Sequence, residues 1–227
     1  ILNFETKNIF KKKSLGKFIN KINGKNLSKI ALFSSVVPKA FKILKFHFKK
    51  KNYKVLELKN LNIKKLIKIE IKNYNQLGSD RISNAIGSQK YKNCIIIDFG
   101  TATTFDILKN YRYVGGVISP GINLSIRNLN RSTALLPILN LKKFQNKFGK
   151  NTQEALNAGF LWGYEGLINN IIKKISLKTG LKFKIILTGG YANLFKRYIK
   201  KKSIIDQNIT IKGIAMALKK LTWKKKN

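Results

Sequence analysis

Cys94–Asp106, CIIIDFGTATTFD, is the stretch from which the rest of the chain is best read. Four apolar residues, Cys94 to Ile97, run into Asp98, a Phe-Gly pair and three threonines, and the chain then turns apolar again. A run bounded in this way predicts a buried strand, a tight turn and the second strand of a hairpin. Gly100 has no Cβ and lets the backbone come close to a ligand. Thr101, Thr103 and Thr104 bring hydroxyl and amide donors, and Asp98 brings a carboxylate for a cation. Turn amides, hydroxyls and such an Asp suit a nucleotide phosphate tail. They suit an ordinary hairpin rich in β-branched residues equally well, so this stretch alone leaves both readings open.

Downstream, Tyr113–Ser119 reads as a third strand ended by Pro120–Gly121, with a helix over Ile122–Asn130. Asn151–Lys178 carries the longest helical pattern, with Leu156, Leu161, Leu167, Ile168, Ile171, Ile172 and Ile175 along its apolar stripe. Asn151 and Glu154 stand at capping-box spacing. Phe183–Leu187 reads as a buried strand, Thr188–Gly190 as a turn and Tyr191–Lys200 as a helix, and a last helix runs from Thr210 to about Leu221. Upstream, Lys29–Val37 reads as a strand, followed by a helix over Ala40–Lys49. Tyr53–Leu58 and Leu66–Ile71 are short strand candidates. Gly78 opens a helix with Ile82, Ala85 and Ile86 on one face. Strands alternating with helices, plus hairpins, indicate a mixed α/β architecture. No short-period repeat of the kind solenoids need is visible.

The 227 residues, 44% of them hydrophobic, can bury one large core or two small ones. No apolar run approaches the ~20 residues of a membrane span, and ILNFETKN lacks the apolar segment of a signal peptide. The single cysteine, Cys94, excludes an internal disulfide; it fits a reducing cytoplasm and a buried, inert thiol. The net charge of +38 ordinarily points to a polyanion partner. Only five of the 47 basic residues are Arg, however, and Lys, Asn and Ile all have A/T-rich codons. Compositional bias therefore explains the charge better than a binding face does. Non-specific polyanion binding at low salt is expected, with no specific nucleic-acid partner and no membrane partner.

Further polar groups cluster at the ends of predicted elements. Gly78-Ser79-Asp80-Arg81 lies at a loop-to-helix junction, where Asp80 suits a general base for a substrate hydroxyl and Arg81 a grip on a carboxylate. A helix cap with a surface Arg is an equally good reading. Gly115–Gly121 ends a strand in a sharp turn, Gly149–Thr152 places polar groups at a helix start, and Thr188-Gly189-Gly190 leaves backbone open to a base or ribose. His47, the only histidine, reads as a half-buried helix residue between Phe46 and Phe48. Trp162 and Trp223 read as packing residues, Trp162 also as a dimer contact, and Glu165 as part of a polar helix face.

The ordered set SSVVP, LGSDR, IDFGTATTFD, GGVISPGI, TALLP, GKNT, TGG and DQNITIKGIAMAL resembles the type III pantothenate kinase family, also called Bvg accessory factor-like proteins, over nearly the whole chain. The resemblance implies an α/β fold of two ribonuclease H-like domains of the acetate kinase/Hsp70/actin superfamily. Residues 1–92 would form a first domain incomplete at its N-terminus, and residues 93–227 the second. It implies Asp80 as proton acceptor, Gly78, Ser79, Asp80, Arg81 and Thr152 as pantothenate contacts, Thr101 as an ATP contact and Asp98 as a ligand of a monovalent cation, K⁺ or NH₄⁺. Mg²⁺ and a cytoplasmic homodimer follow from it too. The implied reaction is ATP-dependent phosphorylation of pantothenate to 4′-phosphopantothenate, the first step towards coenzyme A. The alternative is a catalytically impaired regulatory or binding homologue that keeps the fold.

Two departures from the family pattern stand out. The family's opening strand with its DxGNT phosphate motif is not in this sequence, and LNFETKN resembles the segment that follows it. About 20 residues, a hairpin and its turn, are thus expected upstream. On this reading the chain is a fragment of an active kinase, weakly active or inactive by itself, with a first sheet left exposed at one edge. Ile71 and Tyr74 also stand where the family has Tyr and Pro, which predicts a different edge to the substrate pocket.

Overall fold

The computed structural model describes residues 6–23, 29–141 and 147–223. Two helices, α1 (Thr6–Ile9) and α2 (Lys12–Asn23), precede β1 (Ile30–Phe33), α3 (Pro38–Lys50) and β2 (Lys54–Glu57). Strands β1 and β2 pair in parallel, with Ile30 opposite Lys54, and α3 makes the crossover. Three short 3₁₀ turns lead to α4 (Ser79–Gly87). Then come β3 (Cys94–Phe99), β4 (Ala102–Lys109), β5 (Arg112–Pro120), α5 (Ile122–Arg131), α6 (Thr152–Thr179), β6 (Lys184–Gly189), α7 (Ala192–Phe195), β7 (Ser203–Ile205) and α8 (Ile209–Trp223).

The second sheet has the order β5-β4-β3-β6-β7. An antiparallel meander, β3 to β5, is extended on its other side by β6 and β7, both parallel to the run of β3. This is the ribonuclease H-like arrangement. The apolar run of β3 is continuous because both faces of the strand are covered. Ile95, Ile97 and Phe99 point into a core shared with α5, α6 and β6, whereas Cys94 and Ile96 point into a second core with α4 and α8. The two-residue period therefore divides one run between two cores. Burial pushes the Cys94 thiol up to about 11, as expected for an inert cysteine.

Helix α6 begins as its cap spacing predicts. Asn151 Oδ1 accepts from the Glu154 amide at 2.9 Å, and the Glu154 carboxylate accepts from the Lys150 amide, one residue before the usual capping-box partner. The helix ends at Gly180, whose φ of +67° favours glycine. Helix α8 lies against α4, with glycines where the two backbones meet. A Cβ on Gly213 would collide with the Ser83 carbonyl, and one on Gly87 with the Ile209 carbonyl.

Several elements differ from expectation. Leu66–Ile71 is not a strand: Ile69 makes a single bridge to Tyr113, and the Leu66 carbonyl is taken by the Gln89 and Lys220 side chains. The helix expected over Tyr191–Lys200 stops at Phe195 and closes in a 3₁₀ turn, Lys196–Tyr198. Asn169 of α6 binds the Tyr198 carbonyl and the Lys200 amide, which pulls that backbone out of helical register. Strand β7 is only three residues long and was not predicted. Nor was α2, whose Leu15 and Ile19 are buried one turn apart among lysines. His47 is half-buried, whereas Trp162 is 42% exposed. The expected packing of the Trp223 side chain and the solvated tail lie outside the described residues.

Candidate active site

Helix α4 faces one side of the second sheet, and the site is built where they meet. Cys94, Ile96 and Asp98 alternate along β3, while Thr104, Asp106 and Leu108 alternate along β4. The register sets Asp98 opposite Thr104 and Ile96 opposite Asp106, so the two acids are diagonal neighbours on adjacent strands. On α4, Arg81 and Asn84 are three residues apart and share a face. Arg81 Nε donates to Asp106 Oδ1 at 2.7 Å, and Asn84 Nδ2 donates to Asp98 Oδ2 at 3.1 Å. Two side chains of one helix thus engage two acids of one sheet face.

Gly78 and Ser79 start the helix. Asp80 Oδ1 turns back to accept from the Arg81 amide at 2.8 Å, over a position where a Cβ on Gly78 would collide with it. The Ser79 hydroxyl donates to the Ser35 carbonyl at 3.3 Å, and the Ser83 hydroxyl meets that of Ser34 at 3.0 Å. The loop after β1 is therefore tied to the start of α4, with Val36 beside Gly78. Asp80 is half-buried and faces this junction.

Asp98 ends β3. Burial raises the pKa of its carboxyl, Asp80 adds to the rise, and the Asn84 hydrogen bond opposes it. Gly189, at the end of β6 with φ +84°, lies so close that a Cβ there would come within 2.7 Å of Asp98 Oδ1. Gly190 is open, with only the Phe99 carbonyl within 4.0 Å of an added Cβ. The turn residue Thr101 is exposed, and Gly121 packs against its carbonyl. These groups gather at the carboxyl ends of β3 and β6, where open α/β sheets bind ligands. Among the described residues no three His, Cys, Asp or Glu side chains cluster.

Thr152 is not brought to this cluster. It is exposed at the start of α6, on an apolar groove of about 540 Å³ walled by Leu129, Leu136, Leu156, Phe160 and Tyr164. Sequence reasoning missed Asp106, Asn84, Tyr113 and Thr210. A charged residue inside an otherwise apolar strand was the available signal for Asp106; nothing marked Asn84 or Thr210.

The profile of the type III pantothenate kinase family matches residues 3–174. The chain belongs to this family. The type III pantothenate kinase of Pelagibacter ubique (strain HTCC1062) is 51% identical over 208 residues, covering 90% of this chain and 83% of that protein. That of Sulfurihydrogenibium sp. (strain YO3AOP1) is 40% identical, covering 83% and 76%. That of Ruegeria sp. (strain TM1040) is also 40% identical, but the match spans only 54% of its length. A Campylobacter jejuni crystal structure, named as a Baf-family transcriptional activator, superposes with a TM-score of 0.59 over 90% of this chain and 88% of that one at 23% identity, a likeness of fold. Type III pantothenate kinases transfer a phosphoryl group from ATP to pantothenate on the way to coenzyme A, and this chain is a phosphotransferase of that family with its acetate kinase/Hsp70/actin fold.

Proposed function

We propose that Asp80 is the general base that deprotonates the primary alcohol of pantothenate where α4 faces the ends of β3 and β6. The observation that carries this reading is the placement of Asp80 and Arg81 at the start of a helix whose next turn holds Asp98 through Asn84. Gly78, Ser79, Asp80 and Arg81 form the substrate contact: the base orients the alcohol and takes its proton, and the guanidinium donors hold the rest of the molecule. Thr101 and the open Gly190 backbone receive the nucleotide. Asp98 holds K⁺ or NH₄⁺ through Oδ1, which accepts no hydrogen bond among the described residues. When bound, ATP supplies the phosphoryl group, and Mg²⁺ with the monovalent ion offsets the charge that builds in a loose transition state. The resemblance places the Mg²⁺ ligands in the DxGNT motif.

Thr152 belongs, on this reading, to a homodimer interface. The apolar groove beside it and the open faces of Gly159 and Gly163 on α6 support a partner helix there, completing each pantothenate site from the second protomer. The two-domain division at residues 92 and 93 falls between α4 and β3, with one sheet on each side. A cytoplasmic location is supported by the lone, buried Cys94. No helix among the described residues is long and apolar enough to cross a membrane. Nothing favours the regulatory alternative.

The test is ADP release by the full-length protein with pantothenate, Mg²⁺ and K⁺. Pantothenate-dependent turnover is expected. ADP release that ignores pantothenate, or none, overturns the proposal.

A further inference from the structure

Three observations converge beneath Arg81. Asp106, fully buried on β4, fixes its carboxylate by accepting twice at Oδ1, from Arg81 Nε at 2.7 Å and from the Tyr113 hydroxyl at 2.9 Å. Arg81 Nη2 and Asp106 Oδ2 are both buried without a hydrogen-bond partner. The β4–β5 register shifts between Ile107 and Leu108, so that Asp106 faces Gly116 while Leu108 faces Tyr113.

That shift is a β-bulge, and its effect is to re-aim a side chain. Without the extra residue, Tyr113 would pair with Lys109 and point to the opposite face of the sheet. With it, the phenol turns to the Asp106 side. The adjacent glycines serve the same end: Gly115 takes φ +144° at the bulge, and Gly116 leaves the space that Arg81 Nη2 occupies, since a Cβ there would collide with it. Four residues on two strands, Asp106, Tyr113, Gly115 and Gly116, are thus shaped around one guanidinium.

We propose that Asp106, braced by Tyr113, is a positioning residue that presents the Arg81 guanidinium to pantothenate. This rests on the proposed substrate role of Arg81. With Nε consumed by Asp106 and Nη2 enclosed beside Gly116, the guanidinium plane is fixed, and the remaining nitrogen, Nη1, is the donor left for the substrate. The Asp106 carboxyl is pushed up to about 6 by burial, against the pull of Arg81 and Tyr113. The other groups facing it are Asp80 and Arg81 on α4, Tyr113 on β5 and Cys94 on β3. Burial raises the phenol and the thiol far above this range.

The test is calorimetric binding of pantothenate to the full-length protein, alongside separate KM values for pantothenate and ATP. Asp106→Ala is expected to raise the pantothenate Kd on the order of tenfold while the KM for ATP holds. Tyr113→Phe is expected to raise it by less, and Asp106→Asn, which keeps an acceptor for Nε, to recover most of the affinity. In an Arg81→Gln background, Asp106→Ala is expected to have no further effect. Parallel loss of kcat and both KM values, or full additivity with Arg81→Gln, overturns the inference. Should Asp106→Ala not fold, the pantothenate affinities of Tyr113→Phe and Asp106→Asn decide it. If the unsubstituted protein neither binds pantothenate nor turns it over, the proposed function fails and takes this inference with it. If it does both and the variants bind as the wild type does, the inference alone fails.

Discussion

Asn84 holds Asp98 by an amide whose orientation is dictated from the far end of the chain. The Thr210 hydroxyl on α8 donates to Asn84 Oδ1 at 2.6 Å, so the Asn84 amide nitrogen must face Asp98 Oδ2. One hydrogen-bonded line therefore joins α8, α4 and β3. It leaves Oδ1 of Asp98 beside Gly189, where the proposed cation would sit.

Asn84→Ala removes the donor that stabilises ionised Asp98 and leaves burial unopposed, so its carboxyl pKa rises further. The concentration of K⁺ or NH₄⁺ for half-maximal activity is expected to increase several-fold, and Thr210→Val to act in the same direction more weakly. Cation titrations of the kinase rate check this; an unchanged midpoint in both variants would show that Asp98 does not hold the ion.

Asp80→Asn keeps the shape of the side chain and its hydrogen bond from the Arg81 amide but cannot take a proton. The kcat is expected to fall about 10²–10⁴-fold with pantothenate binding retained. Rapid-quench turnover beside calorimetry separates the two effects, and a loss below about tenfold is incompatible with Asp80 as the base.

The Asp106 carboxyl lies above its ordinary value of 3.8, at about 6, so the folded chain holds that proton more tightly than the unfolded one. Its contribution to stability is complete below the ordinary value and is lost as pH rises through about 6. Above that the buried charge costs on the order of 3 kcal/mol. Asp106→Asn cannot ionise. Its melting temperature, relative to wild type, is therefore expected to be higher at about pH 7.5 than at about pH 4.5. A pH-independent difference would contradict the assignment.

Gly213→Ala sets two effects against each other. Alanine favours a helix by roughly 1 kcal/mol, but here its Cβ meets the Ser83 carbonyl, a backbone atom that cannot rotate away. Overpacking prevails, with a net loss of about 1–3 kcal/mol expected in denaturant titrations. Gly166→Ala on α6, where an added Cβ meets nothing within 4 Å, is the control and is expected to gain roughly 0.5–1 kcal/mol.

The sequence made the meander legible because β3, β4 and β5 each pair a β-branched run with a sharp stop. The start of α6 was legible because its cap lies within four residues of sequence. What could not be read depends on distant partners. Leu66–Ile71 has a strand's composition, but the Leu66 carbonyl goes to the Gln89 and Lys220 side chains. The helix after Tyr191 is cut short by Asn169, far away on α6. In the site, Asp80, Arg81, Asp98 and Thr101 stood out by local context. Asp106 lay in the first stretch quoted, yet its partner is 25 positions away and its bracing tyrosine is turned by a bulge that no local pattern announced. Thr152 was legible as a helix start, but its neighbourhood is the apolar groove and not the acids.

The contact between α4 and α8 bears on the order in which the site can form during synthesis. Asn84 and Thr210 are 126 positions apart, and the whole second sheet is translated between them. Until α8 emerges, Gly87 and Ser83 face solvent and the helix carrying Asp80 has no clamp on that side. A ribosome-bound chain stalled before Ile209 is expected to leave α4 open to proteases, and one stalled well beyond Trp223 to protect it. The acids on the sheet are thus made early and their counterparts on α4 earlier still, but they meet in working geometry only near the end of translation, so a half-made chain carries no competent phosphotransfer site.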